Sequence, residues 1–492
     1  MMLGRPRPAA GYAGRRRRGK TARSILTFAP CRLAVLLLGL SVVPATRAAA
    51  LQRASSEPAA KLSQQARAAA AAGKIEEAVA LDRQAITLDP KQAALRVELA
   101  GWLTRLNRPL AAIVAFREAL DLDPGNEAAE LGLGASFRQV FNYDEARKTF
   151  EESARAHPAS AAPLLALADL ELQLQDYPHA VAHAGQALKL APRQPAAHVD
   201  LAVAYQAQGN LDSALAELNA ALTGEPGAAV AYYLRGSLYA DRDQNQLALA
   251  DARKAIELEP ANAKARSLVA RLEVRAGACR DAVSVLAPLL ASPVADAETL
   301  YLAGRACQCA GQNDRAQKLL ERFAKKSAKE HSAGQARTHA DFIVAQAGEA
   351  ARQNKLASAL DLLHQALAED PGNSKAQGQL AKIYFSAGRI DLARAAIEKA
   401  LATDPYQPDY LYVRGKVLEQ QGDLAAALAA FQDTVLVNPA ESDAYYEIGT
   451  LLLKQGRRED ALAALRQAVA LSPGDPGYRR ALEAAEGGAS PK

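Results

Sequence analysis

The chain carries a 34-residue period that runs from Ala59 to Pro473. Most periods hold an Ala, an apolar residue four positions later, a small residue three beyond that and a Pro five further on, as in residues 393–405, and the seventh and eighth lack the Pro in phase. A unit of this length cannot bury its apolar face alone, so such units stack into one continuous body. The period therefore predicts twelve stacked units. The recurring Ala residues are Ala78, Ala112, Ala146, Ala180, Ala214, Ala248, Ala282, Ala316, Ala359, Ala393, Ala427 and Ala461.

Each unit has the pattern of a helix-turn-helix hairpin. Two apolar patterns of helical period are separated by a turn signal such as Gly209-Asn210 or Gly422-Asp423. The Pro ends the second helix, because it lacks an amide donor and disfavours the helical conformation before it. Only 5% of the residues are aromatic although 50% are hydrophobic, so the core must consist mainly of Ala and Leu. Hairpins that turn identically in every period predict a superhelix.

A complete unit combines a small residue, a Tyr, a turn beginning with Gly, two Ala residues at helical spacing and a closing Pro. The clearest example is Ala202, Tyr205, Gly209, Leu211, Ala214, Leu218, Ala221 and Pro226. This pattern resembles the tetratricopeptide repeat, and the resemblance covers about residues 59–473. It implies an all-α, right-handed superhelical solenoid of about twelve hairpins, whose first helices line the concave surface.

The phase is interrupted once, after the eighth unit. Nine extra residues, His331 to His339, precede the point where the phase resumes at Ala340. They are either a hinge between two blocks of repeats or part of a longer second helix. The predicted organisation is a signal peptide over 1–50, a linker over 51–58, repeats 1–8 over 59–330, an insertion or hinge over 331–339, repeats 9–12 over 340–473, and a capping helix with a disordered tail over 474–492.

Residues 1–50 have the three parts of an export signal. A positive region with Arg15 to Arg18 precedes the apolar stretch Leu33 to Val43, and small residues end at Ala50, where we expect cleavage. A bilayer needs about 20 apolar residues, and this stretch has eleven. An uncleaved membrane anchor is the alternative. We expect export through the general secretory route to the periplasm or the extracellular space.

The net charge of +5 originates in this leader. Residues 1–50 hold ten of the 59 Lys and Arg residues and none of the 54 Asp and Glu residues, so the rest of the chain is acidic. We therefore expect no nucleic-acid partner.

From the sixth unit onward, the positions that the resemblance places on the concave surface become aromatic and charged. Arg grips carboxylates and aromatic rings bury much area at low entropy cost, so this groove is the predicted ligand site. A solvated charged face is the alternative. The implied ligand is a protein or peptide segment with acidic groups, or an anionic polysaccharide. The predicted residues are Tyr233, Lys264, Arg271, Arg275, Tyr301, Arg305, Arg352, Lys382, Phe385, Tyr412, Lys416 and Tyr446.

The sequence predicts no catalytic, cofactor or metal site. Residues 14–21 satisfy the phosphate-loop pattern, but no strand precedes them and they lie in the leader. His179 and His183 share a helix face without a strong third ligand. The chain has neither an HExxH nor a GxSxG motif, and we do not expect an enzyme.

Three cysteines follow the leader, in the seventh and eighth units. Export would bring them into an oxidising compartment. A disulfide between Cys279 and Cys307 is predicted, because the helix ends that carry them should be adjacent. Cys309 is then the odd thiol, and three ordinary thiols are the alternative.

Two functions fit this chain. The first is a non-catalytic protein-interaction scaffold of the cell envelope or secreted space that binds peptide segments in its groove. The second is an accessory protein of polysaccharide synthesis or export that binds an anionic glycan. Membrane association is expected only through an uncleaved leader.

Overall fold

The computed structural model describes residues 45–291 and 295–487, and the compact unit discussed below begins at Ala54. Every helix or strand assigned in these ranges is an α-helix. The first fifteen are α1 (Ala45–Ala71), α2 (Ile75–Leu88), α3 (Ala93–Arg105), α4 (Pro109–Leu122), α5 (Glu127–Gln139), α6 (Tyr143–Ala156), α7 (Ala162–Gln173), α8 (Tyr177–Leu190), α9 (Pro195–Ala207), α10 (Leu211–Gly224), α11 (Ala229–Asp241), α12 (Asn245–Leu258), α13 (Ala263–Arg275), α14 (Cys279–Leu290) and α15 (Ala297–Cys309).

The helices after these complete the array. They are α16 (Asn313–Arg352), α17 (Leu356–Glu369), α18 (Ser374–Ser386), α19 (Ile390–Thr403), α20 (Pro408–Gln420), α21 (Leu424–Val437), α22 (Ser442–Lys454), α23 (Arg458–Leu471) and α24 (Pro476–Glu486). Consecutive helices pack as antiparallel hairpins, which we number 1 to 12. α16 supplies both the second helix of hairpin 8 and the first helix of hairpin 9, and α24 follows hairpin 12. The predicted all-α solenoid of helical hairpins is confirmed.

The turn inside each hairpin contains one residue in the left-handed conformation. Glycine adopts this conformation without steric cost, which explains why it recurs there. Asn, Asp or Gln takes its place in four hairpins, and the bulky Phe141 in one. The positions are Gly73, Asn107, Phe141, Gln175, Gly209, Asp243, Gly277, Gly311, Asn354, Gly388, Gly422 and Gly456.

Small residues set the distance between the two helices of a hairpin. The recurring Ala of the second helix is buried in all twelve hairpins, with at most 3% of its surface exposed. Gly134 shows how close the approach is, because a Cβ atom there would overlap the ring of Phe150. Phe150 is itself 2% exposed, so its ring has little room to move. In hairpin 5 the same two positions hold Ala202 and Leu218.

Helix α16 is 40 residues long and runs without a break through residues 331–339, which the sequence marks as an insertion or hinge. At 1.5 Å per residue it spans about 60 Å. No proline interrupts it, and Gly334 is the single glycine in its exposed middle part. Residues 328–335 are all exposed. The chain therefore passes from hairpin 8 to hairpin 9 without the turn that joins other hairpins.

The solenoid also contacts itself across a large sequence separation. α4 packs against α21, and the Asn142 side-chain amide donates a hydrogen bond to the carbonyl of Val437. A cleft of about 580 Å³ lies beside this contact, between the turn of hairpin 3 and loops of hairpins 10 and 11. Val140 and Val437 are 1% and 4% exposed in the same apolar cluster. Hairpins 2 and 3 thus share a core with the C-terminal hairpins.

Several predicted segments at the chain ends fall beyond the described ranges. The export signal lies outside them except for residues 45–50, and so do the phosphate-loop pattern and residues 488–492. Residues 51–58, predicted as a linker, belong to α1. Within the described ranges, no helix is both long enough and apolar enough to cross a membrane.

A buried carboxyl group joins hairpins 1 and 2. The indole Nε1 of Trp102 donates a hydrogen bond to Oδ2 of Asp82 at 2.7 Å, and Asp82 has no exposed surface. Burial raises the pKa of Asp82 to about 6, although the hydrogen bond from Trp102 opposes this. Nearby, Glu98 accepts hydrogen bonds from Ser63 and Arg67. The first two hairpins are therefore connected by a polar network around a titratable group.

Replacing Gly134 by Ala should destabilise the protein by about 1–3 kcal/mol, because the added methyl group overpacks the site against Phe150. Gly101, inside α3, has open space at its Cβ position. Gly101→Ala should therefore be neutral or stabilise by up to about 1 kcal/mol. Urea unfolding followed by circular dichroism measures both. The double variant Gly134→Ala with Phe150→Leu reproduces the Ala202 and Leu218 pair of hairpin 5 and should recover part of the lost stability. Equal unfolding midpoints for Gly134→Ala and Gly101→Ala would contradict the packing argument.

The fluorescence of Trp102, the chain's one tryptophan, should titrate with an apparent pKa of about 6. The folded state holds the Asp82 proton more tightly than the unfolded chain. The free energy of unfolding should therefore fall as pH rises from about 4 to about 6 and change little from this group above that. Asp82→Asn should abolish the transition and the exposed Asp123→Asn should leave it. A transition that persists in Asp82→Asn would assign it to another group.

Candidate functional site: the first-helix groove

First helices lie side by side along much of the solenoid, on both sides of the junction between hairpins 8 and 9. At most junctions the first helix of a hairpin packs directly against the first helix of the next, and contacts of this extent do not occur between neighbouring second helices of the described residues. In a curved stack of hairpins, the row of helices that is more closely spaced, here the row of first helices, lies on the inner side. All twelve predicted groove residues lie on these first helices, and whether they bind a ligand stays a prediction.

Five of the seven cations of the predicted groove pair with acids, whereas Lys264 and Arg305 are exposed and form no ion pair within the described residues. Arg271 meets Glu298 at 2.8 Å, and Lys382 meets Asp409 at 2.8 Å. Arg275 lies 3.4 Å from Asp243, a turn residue of hairpin 6, and Arg352 pairs with Glu349 on its own helix at 2.7 Å. Exposed pairs of this kind contribute little to stability. They leave the groove polar and of mixed charge.

Most aromatic side chains of the predicted site pack against their own neighbours. Tyr412 lies against Phe431, with ring centroids 5.5 Å apart, and Tyr446 against Tyr478 of α24 at 5.2 Å. Tyr233 and Phe385 are half-buried. Only Tyr301 among these rings is exposed, at 42% of its surface. The aromatic part of the predicted site is thus mostly structural.

Lys416 stands at the centre of a charge network that joins hairpins 11 and 12. Its ammonium group donates hydrogen bonds to Glu419 at 2.8 Å and to Glu447 at 2.9 Å. Lys454 also contacts Glu419, at 2.9 Å. Burial alone would lower the pKa of Lys416, but its bonds to the two carboxylates raise it above the ordinary value. Burial, then Glu447, raises the pKa of Tyr412.

A cleft of about 380 Å³ crosses the first helices of hairpins 9 to 11. Asp341 pairs with Lys375 at 3.0 Å on one side, and the Lys382–Asp409 pair borders the other. Hydrogen bonds from Asn373 and Lys375 lower the pKa of Asp341. The amides of Gln379 and Gln407 also line the cleft. Amides together with both signs of charge suit the donors and acceptors of an extended peptide.

Sequence reasoning found Lys382 in this cleft and missed other residues that line it. Lys375 occupies in α18 the position that the predicted groove residue Lys264 occupies in α13, so the period could have identified it. Gln379 and Gln407 have no counterpart among the predicted groove residues. Asp200 of α9 was also missed; burial, followed by the nearby Asp169, raises its pKa to about 7. A half-buried carboxyl group therefore lies on the first helix of hairpin 5.

Models of the tetratricopeptide repeat match the sequence at residues 63–127, 131–195, 171–238, 229–262, 350–417 and 412–476. Together these matches span more than half of the chain. The chain belongs to the tetratricopeptide repeat family.

Several solved structures resemble this tetratricopeptide repeat protein over part of its length. YrrB, described as having an unusual peptide-binding site, is 26% identical over 37% of this chain and 95% of that chain, with a TM-score of 0.29. A tetratricopeptide repeat protein from Parabacteroides merdae is 17% identical over 51% and 99%, with a TM-score of 0.41. Pseudomonas aeruginosa pilF is 20% identical over 44% and 99%, with a TM-score of 0.38. No curated protein matches the chain.

The histidines weighed as metal ligands contact carboxylates in this tetratricopeptide repeat protein. Nδ1 of His179 lies 2.8 Å from Asp176, one turn earlier. Nδ1 of His183 lies 2.9 Å from Glu171, which is 2% exposed. A buried carboxylate is costly without a partner, and His183 provides one. Both histidines thus have local structural contacts.

The predicted partner of Cys279 is wrong. A disulfide joins Cys279, at the start of α14, to Cys309, at the end of α15, with Cα atoms 5.6 Å apart. Residues two apart on a helix point about 200° apart, so Cys307 and Cys309 cannot both face α14. Cys307 is fully buried in the core of hairpin 8. Burial raises the pKa of its thiol, which slows its reactions.

Peptide mapping of the non-reduced protein distinguishes the two pairings. Trypsin releases Cys279 in residues 276–280, and both Cys307 and Cys309 in residues 306–315. We expect the linked pair of peptides to persist in Cys307→Ser and to disappear in Cys309→Ser. The reverse pattern would restore the Cys279–Cys307 assignment. Native alkylation should spare Cys307 until the protein is unfolded.

Proposed function

We propose that this protein is a non-catalytic scaffold of the cell envelope or secreted space that binds peptide segments of partner proteins along its first-helix groove. The observation that carries the proposal is the cleft across hairpins 9 to 11, where Gln379, Gln407 and two ion pairs line a continuous surface. Membership of the tetratricopeptide repeat family supports a protein-interaction role. The predicted leader supports the location.

The mixed charge of the groove favours a peptide over a polyanion. An anionic glycan needs cations that are free to contact it, whereas Lys375 and Lys382 already pair with Asp341 and Asp409. A peptide can exchange those partners for its own carboxylates and ammonium groups, and can bond its backbone to the two glutamine amides. Glycan binding is therefore the second outcome of the test below.

Photo-crosslinking in the native host tests the proposal. A photoreactive amino acid replaces Gln379 in the cleft and, as a control, the exposed His179 on a second helix. We expect a discrete protein adduct from position 379 and none from position 179. Mass spectrometry of the adduct identifies the partner.

The accompanying variant exchanges the charges of one ion pair. Lys382→Glu should reduce the adduct, and Lys382→Glu with Asp409→Lys should restore part of it. A glycan adduct at position 379 would indicate that the groove binds a polysaccharide and not a peptide. Equal adducts at both positions, or none at position 379, would remove the groove as the binding site.

A further inference from the structure

The junction between hairpins 8 and 9 lacks a helix that every other described junction has. Elsewhere the second helix of one hairpin packs against the first helix of the next. α16 instead continues in line, so its first half has no following helix folded against it. In hairpin 10, Gly378 faces the ring of Tyr410 from the next first helix. At the corresponding position of hairpin 8, Tyr301 is exposed and rests on Phe323, with ring centroids 5.3 Å apart.

A cleft of about 560 Å³ lies on this uncovered side. Ala295 and Leu300, before and at the start of α15, form its apolar part, and one face of α16 forms the rest. Four cations border the cleft: Arg322, Lys325, Lys326 and Lys329. Among the described residues only Lys326 has an acidic partner, Glu330 at 3.9 Å. The cleft is thus both apolar at its base and strongly positive at its rim.

This charge is local. Residues 315–330 contain six Lys and Arg residues and two acids, Glu321 and the cleft residue Glu330, although the chain beyond the leader is acidic overall. The cations at 322, 325 and 329 follow helical spacing, so they lie on one face of α16. Groove cations such as Arg271, Lys382 and Lys416 are paired with acids. The junction therefore gathers three cations that are unpaired among the described residues, Arg322, Lys325 and Lys329, on one helix face beside an apolar base.

We propose that this cleft seats an acidic amphipathic α-helix of a partner protein, in the position that a following first helix occupies at the other junctions. The apolar base would take one or two apolar side chains of the helix. Its carboxylates would contact Arg322, Lys325 and Lys329. These charge contacts would orient the helix and speed its association. A membrane surface fits less well, since residues 324–339 carry no large apolar side chain. The proposal does not depend on the cleft across hairpins 9 to 11 or on its ligand.

Fluorescence anisotropy with a designed probe tests the seat. The probe is a labelled 20-residue helical peptide with Leu on one face and Glu beside it, and its matched partner carries Gln in place of Glu. We expect the full-length protein to bind the Glu peptide with an affinity that falls as salt is added, and the Gln peptide more weakly. Arg322→Glu with Lys325→Glu and Lys329→Glu should weaken binding by about tenfold or more.

Two controls distinguish binding at this cleft from nonspecific attraction between opposite charges. Arg83→Glu with Lys189→Glu and Lys399→Glu changes the net charge equally, at exposed cations on other second helices, and should leave the affinity nearly unchanged. Ala333→Trp fills the cleft without altering the charge and should weaken binding. Equal loss in the two triple variants, no effect of Ala333→Trp, or no binding of the Glu peptide by the wild-type protein would each overturn the proposal. Circular dichroism confirms that each variant folds.

Anionic phospholipid vesicles and single-stranded DNA are tested in the same assay. If either binds through Arg322, Lys325 and Lys329 more tightly than the Glu peptide does, the surface serves that ligand and the helix seat is wrong. Because the groove variant Lys382→Glu leaves this cleft intact, it should not affect probe binding. Failure of the seat would therefore leave the groove proposal standing, and the reverse also holds.

Discussion

Close approach of two helices at a small residue is the interaction on which the whole array depends. Where Gly134 faces Phe150, or Ala202 faces Leu218, the side chain on one helix fills the space that the other leaves. The distance between the helices is thereby fixed in each hairpin, and so is the angle at which the next hairpin is added. Because the stack repeats one packing contact, curvature and the row of first helices follow from it. This packing suits a protein with few aromatic residues, because alanine lets the two helices approach closely and fewer bulky side chains are needed to fill the space between them.

The parts of the fold that repeat could be predicted from the sequence. The phase of Ala, Gly and Pro located the hairpins and their turns because each residue has one dominant physical effect. The path through α16 could not be decided, since residues 331–339 contain no strong helix stop and suit either a helix or a hinge. The disulfide could have been predicted better. Cys307 is in register with Leu103 and Phe137, which are each 2% exposed, so the period itself places Cys307 in the core.

The groove was harder to predict than the fold, because the charge that a side chain offers to a ligand depends on whether another side chain already pairs with it. A sequence shows which positions carry Arg or Lys, but an acid about 30 residues away decides whether that charge is available to a ligand. Lys382 and Arg271 were chosen correctly as first-helix residues, and the structure shows that the next repeat already pairs them. The exposed cations of α16 lie where the repeat is broken, and so a scheme based on repeat positions passed over them. In this chain, surface is left uncovered where the repeat is irregular, at the junction between hairpins 8 and 9.

The contact between Asn142 and Val437 has a consequence for how the chain comes apart. In an open solenoid every contact is local, so terminal repeats fray and unfolding spreads inward one hairpin at a time. Here two hairpins near one end hold hairpins near the other, which closes a loop of almost three hundred residues. Opening that loop removes contacts from both ends at once. The hairpins between these contacts therefore form a closed loop, in which hairpins 2, 3 and 11 gain protection from residues that lie far away in the sequence.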